Sequence, residues 1–153
     1  MNKPKLELTV QKSEPWPGLP TKRDIRRWVL ASLLEDANVT VRLIDAPESR
    51  ELNRYFRGRD KATNVLTFPY EETTPLSADI ALCIPVIKKE AVKQIKTFHN
   101  HFAHLCVHAT LHFQDFGHEE EAEREIMEGM EIDILEKMEI PNPYEHNISS
   151  NSS

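Results

Sequence analysis

The sequence predicts an α+β fold in which a single four-stranded mixed sheet packs against a bundle of about five helices. Three observations predict it. The 153 residues, 39% apolar, are enough for one core and too few for two. Four short runs are alternating or rich in β-branched residues, and the stretches between and after them repeat apolar residues every three to four positions. The order strand, helix, strand, helix, two strands, helices interleaves both kinds of element along one chain.

Leu6, Leu8 and Val10 alternate with polar neighbours, the period of a half-buried strand, and the cluster Pro15, Pro17, Gly18 and Pro20 ends it. Thr21 is placed to cap a helix whose apolar face is Ile25, Trp28, Val29 and Leu33. Val39 to Ile44 is a second strand, and Asp45 to Glu48 closes it and opens a short helix through Leu52 and Tyr55. Asn64 to Phe68 and Asp79 to Ile84 read as two further strands separated by the segment Pro69 to Ser77. After Pro85, a stripe of Ile87, Ala91, Ile95, Phe98, Phe102, Leu105 and Ala109 predicts helix as far as about His112, with Thr97 or Asn100 able to cap a break within it. Residues 119 to 139 form a final helix with Ala122, Ile126, Met130, Ile134 and Met138 on its expected inner face. The polar tail Asn147 to Ser153 is expected to fray, leaving one domain over residues 1–146.

Charge narrows the function classes. Acids outnumber bases 25 to 19, a net −6, which disfavours a protein that grips nucleic acid through broad positive charge. The final helix alone carries −8, with ten acids against two bases, so the rest of the chain is mildly basic; residues 50 to 61 hold five bases and two acids. Any RNA-binding surface is therefore local. No window approaches the roughly 20 apolar residues that span a bilayer, and Met1 to Lys5 is too polar for a signal peptide, so a soluble, cytoplasmic protein is expected. Cys83 and Cys106 stand far apart in apolar runs, with neither metal nor redox spacing, and read as buried reduced thiols.

His108 and His112 are four apart on one helical face, a separation suited to adjacent positions on a tetrahedral metal. His118 follows six residues later, and Asp115 and Gly117 tolerate the left-handed backbone that would turn it back toward the pair. Three neutral imidazoles leave zinc one open position for water, whose pKa falls from about 15.7 to roughly 7. On spacing alone the histidines could instead decorate an amphipathic helix that also carries His99, His101 and His104. Against that, unliganded imidazoles are costly to bury without partners. His104 is assigned to the packing around the site, because three ligands already complete the set. The Glu that follows the first helical His in zinc proteases is here Ala109, so a peptidase would lack its base. Asp115, Glu119 and Glu120 stand near enough in sequence to supply one, although acids opening a helix also favour its dipole without any catalytic role.

Two blocks give the chain a family resemblance. Tyr55 to Pro69 reads Tyr-Phe-Arg-Gly-Arg-Asp-Lys-Ala-Thr-Asn-Val-Leu-Thr-Phe-Pro, and His104 to His118 reads His-Leu-Cys-Val-His-Ala-Thr-Leu-His-Phe-Gln-Asp-Phe-Gly-His. Together with Asp79 to Cys83, Glu90-Ala91 and Pro143-Tyr144, they make the sequence similar to the YbeY family of bacterial metal-dependent endoribonucleases over nearly its whole length. The resemblance implies a metalloprotease-like central helix carrying the metal site, one zinc ion per chain with ligands His108, His112 and His118, and a functional arginine at Arg57. It implies a single-strand-specific endoribonuclease acting in maturation of small-subunit ribosomal RNA at its 3′ end and in ribosome quality control. RNA and the ribosome or its proteins would be the partners, with no membrane and no DNA. An arginine suits such a role because its guanidinium can clamp a phosphate through two hydrogen bonds. The chain departs from the family pattern at Ala62, Ala78 and Ala109 and in the order Asp115-Phe116-Gly117. Those changes motivate an alternative, a zinc-stabilised ribosome-assembly factor without catalysis.

Overall fold

A computed structural model describes residues 3–70, 74–114 and 120–145. The polar tail, together with Asp115, Gly117, His118 and Glu119, lies outside the described residues. The elements run β1 (Leu6–Lys12), α1 (Lys22–Ala31), β2 (Ala37–Ile44), α2 (Ala46–Arg57), β3 (Val65–Pro69), β4 (Leu76–Cys83), α3 (Ile84–Lys93), α4 (Phe98–Phe113) and α5 (Glu121–Lys137). The sheet order is β1-β2-β4-β3. Strands β1, β2 and β4 are parallel, with Val10, Val41 and Ile80 in register, and β3 pairs antiparallel to β4 at one edge. The expected α+β class, mixed sheet and five helices are all present.

The helix starts follow from the capping residues. Thr21 forms a capping box with Asp24, Asp45 accepts from the Glu48 N–H at 2.9 Å, and Thr97 accepts from the Asn100 N–H at 3.0 Å. Each satisfies a backbone donor that would otherwise lack a partner in the first turn. Of the two candidate caps for the break, Thr97 takes the role and Asn100 lies in the first turn of α4. The break exists because the chain between α3 and α4 passes through Ile95 in a left-handed conformation (φ 55°), from which no helix can continue.

Alternation along the strands builds two cores. Val39, Val41, Leu43, Ile80 and Leu82 belong to the larger one with residues of α1, α3, α4 and α5, whereas Ile44, Leu66, Ala81 and Cys83 form a smaller cluster with Ala46 and Leu52 of α2. Helix α4 is the centre of the larger core and packs against α1, α3, α5 and β3. Trp28 of α1 meets Phe102 of α4 at a ring separation of 6.0 Å, and the Gln114 side chain bonds both Ser32 O and the Leu34 N–H, tying the end of α4 to the turn after α1. Both cysteines are free and buried, as the sequence predicts.

The face of α5 differs from its expectation. Ala122 and Ile126 are exposed, Met130, Ile134 and Met138 are half-buried at the flank, and the residues that turn fully inward are Met127, Glu131 and Leu135. The helix is rotated by about one residue from its apolar stripe because an acid, Glu131, must point inward to partners on α4. Among the described residues, no helix is long and apolar enough to cross a membrane.

Ile95 is a β-branched residue held in left-handed backbone with its side chain 75% exposed, so it pays strain without packing in return. Ile95→Asn is expected to stabilise the fold by up to about 1 kcal/mol, read as a higher urea midpoint at unchanged slope. A lower midpoint would show that the side chain contributes more than its exposure suggests.

Candidate metal centre

Between residues 101 and 113, every side chain of α4 is buried except two, and those two are His108 and His112. The imidazoles at 104, 108 and 112 stand one above another, with successive ring centroids 6.1 Å apart. They run from dry to wet: His104 is 9% exposed, His108 is half-buried and His112 is exposed. The rings of His108 and His112 are parallel to within 5°.

Glu131 of α5, with no solvent exposure, organises the dry end. One carboxylate oxygen lies 2.7 Å from His104 Nε2 and also accepts from the Tyr144 hydroxyl, and the other lies 2.8 Å from His108 Nδ1. Burial by itself raises the Glu131 pKa, but hydrogen bonds from both imidazoles and the phenol outweigh it and bring it down to about 2. The carboxylate is thus an acceptor only, and each imidazole nitrogen facing it must carry the proton. Burial also holds His104 neutral against the pull of Glu131, and burial and then Glu131 keep the Tyr144 hydroxyl protonated far above the ordinary phenol range.

For His108 the consequence is that Nδ1–H is committed to Glu131, which leaves Nε2 as the nitrogen that can meet a cation. That is how a metal-ligating imidazole is normally prepared, its second nitrogen donating to a carboxylate that orients the ring and raises its basicity. The donor chemistry therefore fits a divalent cation. His104, His108 and Glu131 by themselves also form a group that could hold a metal ion, with ligand atoms within 4.8 Å of one another. A second carboxylate supports the same helix one turn earlier: Glu90 of α3 accepts from Asn64 Nδ2 at 3.0 Å and lies 2.8 Å from Nε2 of buried His101.

His108 and His112 open onto a cleft of about 690 Å³ whose opposite wall is the end of α2 and strand β3, including Phe56, Arg57, Thr67 and Phe68. Arg57 is the last residue of α2, because Gly58 takes the left-handed conformation (φ 69°) that ends the helix, its N–H donating to Arg54 O. Arg57 makes no ion pair or hydrogen bond among the described residues. Three of the four residues singled out from the sequence, Arg57, His108 and His112, thus share one cleft, and His118 lies outside the described residues. Of the candidate bases, Glu120 is the backbone N-cap of α5 and makes no side-chain cap bond, while Asp115 and Glu119 lie outside the described residues. Two residues escaped the sequence reading of the site. Glu131 had a signal, an acid spaced four from Met127 and four from Leu135 on the buried stripe, and Tyr144 had only its place in the family resemblance.

An imidazole oriented by a buried carboxylate, sharing a cleft with an arginine that has no acidic partner among the described residues, is the equipment of a hydrolytic enzyme assisted by a cation. Comparison with known proteins gives the family. The family model described as Endoribonuclease YbeY matches residues 20–139. Proteins named Endoribonuclease YbeY are 48% identical in Paraburkholderia phymatum, covering 93% of this chain and 97% of that one, and 50% identical in Aromatoleum aromaticum, covering 92% and 93%. The solution structure of TM1509 from Thermotoga maritima shares the fold, with a TM-score of 0.58 at 22% identity over 86% of this chain and 91% of that one. The chain belongs to the YbeY family.

Glu131→Ala would leave the two imidazole N–H groups and the Tyr144 hydroxyl without their acceptor. A loss of at least about 2 kcal/mol is expected, measured by urea denaturation of the metal-free protein. An unchanged midpoint would show that the network contributes nothing to folding.

Proposed function

We propose that this chain is a single-strand-specific, zinc-dependent endoribonuclease of the cytoplasm, acting in maturation of small-subunit ribosomal RNA at its 3′ end and in ribosome quality control. The catalytic domain is taken to run over residues 1–146, and RNA with the ribosome or its proteins are its partners. The observation that carries the reading is that the two positions on an otherwise buried stretch of α4 that reach the cleft are both histidines, and that Arg57 faces the same cleft. Names of relatives at 48% and 50% identity support the RNA substrate.

His108, His112 and His118 would hold one zinc ion, with His108 presenting Nε2 because Glu131 occupies Nδ1. When bound, the ion supplies the Lewis acidity that brings water within reach of deprotonation near neutral pH. The remaining work belongs to side chains. Arg57, across the cleft, clamps non-bridging oxygens of the scissile phosphodiester and offsets the charge that builds on them as the bond breaks. Glu131 fixes the direction of His108, and the Tyr144 hydroxyl and His104 hold Glu131 in place. The neighbourhood of Arg57 favours a polyanion: Arg50 pairs with Asp60 and Arg54 with Glu51, which leaves Arg57, Arg59 and Lys61 without an acidic partner among the described residues.

Cleavage of a single-stranded oligoribonucleotide is expected to vanish in His112→Ala and after chelation, and to return with added zinc in the wild type alone. Cleavage at equal rates by wild type and His112→Ala would end the proposal, and normal RNA processing in cells by a metal-free variant would favour the non-catalytic assembly factor. Arg57→Ala should lower kcat by about 10² to 10³-fold, and Arg57→Lys should recover only part of it, since a point charge cannot clamp two oxygens at once. Elemental analysis of untagged protein should find one zinc per chain, and Glu131→Gln should weaken zinc affinity by about 10- to 100-fold.

A further inference from the structure

Helix α2 ends in two consecutive aromatic residues that the core does not take: Tyr55 is 79% exposed and Phe56 is 57% exposed. Leaving this much aromatic surface in water is unfavourable, and exposed apolar surface of this kind marks a binding site more often than chance. The rings are held, not loose. Phe56 lies against Phe68 of β3 with centroids 4.9 Å apart at 57°, and against Tyr55 at 4.8 Å and 70°. Phe68 is itself packed on the smaller core cluster of Ile44, Leu66, Ala81 and Cys83, so the aromatic group is anchored to the sheet. Phe56 and Phe68 line the same cleft as Arg57, His108 and His112.

We propose that Phe56, braced by Phe68 and Tyr55, is a stacking platform for an unpaired nucleobase next to the phosphate that Arg57 holds. The inference rests on the RNA reading given above and adds the subsite that would make it selective for single strands. Two features choose this occupant over a protein segment or a duplex. Arg57, which lines the cleft with Phe56, has no acidic partner among the described residues, nor do Arg59 and Lys61 just after it in sequence, which favours a ligand that brings negative charge along with a flat apolar face. In a duplex the bases already stack on one another and offer no free face, whereas a single strand presents phosphates and bare π-faces alternately, the combination that basic grooves with aromatic side chains bind. Because a fixed ring loses little freedom on binding, the site is prepared before the RNA arrives.

The test uses the full-length zinc-loaded enzyme, a short single-stranded oligoribonucleotide, and the same sequence with one abasic nucleotide moved along it. Phe56→Leu should raise the KM for the intact RNA by about 5- to 150-fold, the range that losing one stacked base represents, with kcat changed by less than about threefold. Phe56→Trp should keep the wild-type KM. In the wild type, one abasic position near the cleaved bond should carry a similar penalty, and that penalty should disappear in Phe56→Leu. A wild type that cleaves the RNA while Phe56→Leu shows the same KM and the same abasic profile overturns the stacking site and leaves the endoribonuclease reading standing. A wild type that neither binds nor cleaves single-stranded RNA overturns both.

Discussion

The arrangement depends on one buried anion. Glu131 is removed from water completely, a transfer that costs several kcal/mol for an ionised carboxylate without partners. It persists because three donors from two parts of the chain converge on it: His104 and His108 from α4, and Tyr144 from the segment after α5. Hydrogen bonds to a charged acceptor are each worth about 1.5 to 3 kcal/mol, so three of them can offset the desolvation, and removing any one tips the balance. The same bonds do the chemical work of the site, since they settle which nitrogen of His108 is protonated and which way its ring faces. Stability of the fold and readiness of the site are therefore one interaction viewed twice.

Around that anion the rest of the structure serves to keep α4 still. Its cap at Thr97, its packing against α1, α3, α5 and β3, and the Gln114 side chain that ties its last turn to Ser32 and Leu34 leave the helix little room to shift. The carboxylate of Glu90, shared by Asn64 and His101, repeats on a smaller scale what Glu131 does, and it links the start of β3, and so the far wall of the cleft, to the helix that carries the histidines.

Much of this was legible in the residues. The periods of apolar positions placed four strands and five helices, Thr21 and Asp45 announced the starts of α1 and α2, and the interval of four between His108 and His112 predicted their common face. What was not legible has a single cause. Periodicity assumes that the inward face of a helix is apolar, and the inward face of α5 is centred on an acid; Ala122 and Ile126 were assigned to a core they do not enter, and Glu131 was counted among ten acids on what looked like a solvated helix. Its partners lie 27 and 23 residues away on another element, and no local pattern reports such a pairing. Arg57 illustrates a different limit. In sequence it matched any surface cation in a basic run, and only the structure shows that it lines the cleft and that Arg50 and Arg54 pair with acids while Arg57 has no acidic partner among the described residues.

Two of the joints between sheet and helices are very short. Strand β2 passes into α2 through Asp45 alone, and β4 passes into α3 with no residue between them. Joints of this length have no slack to act as hinges, so the wall made by α2 and β3 travels with the sheet as one body. A jaw that cannot close must let its guest do the adapting. The loss of freedom on association then falls on the polymer, and a strand that is already extended and unpaired enters at lower cost than one that has to be melted first.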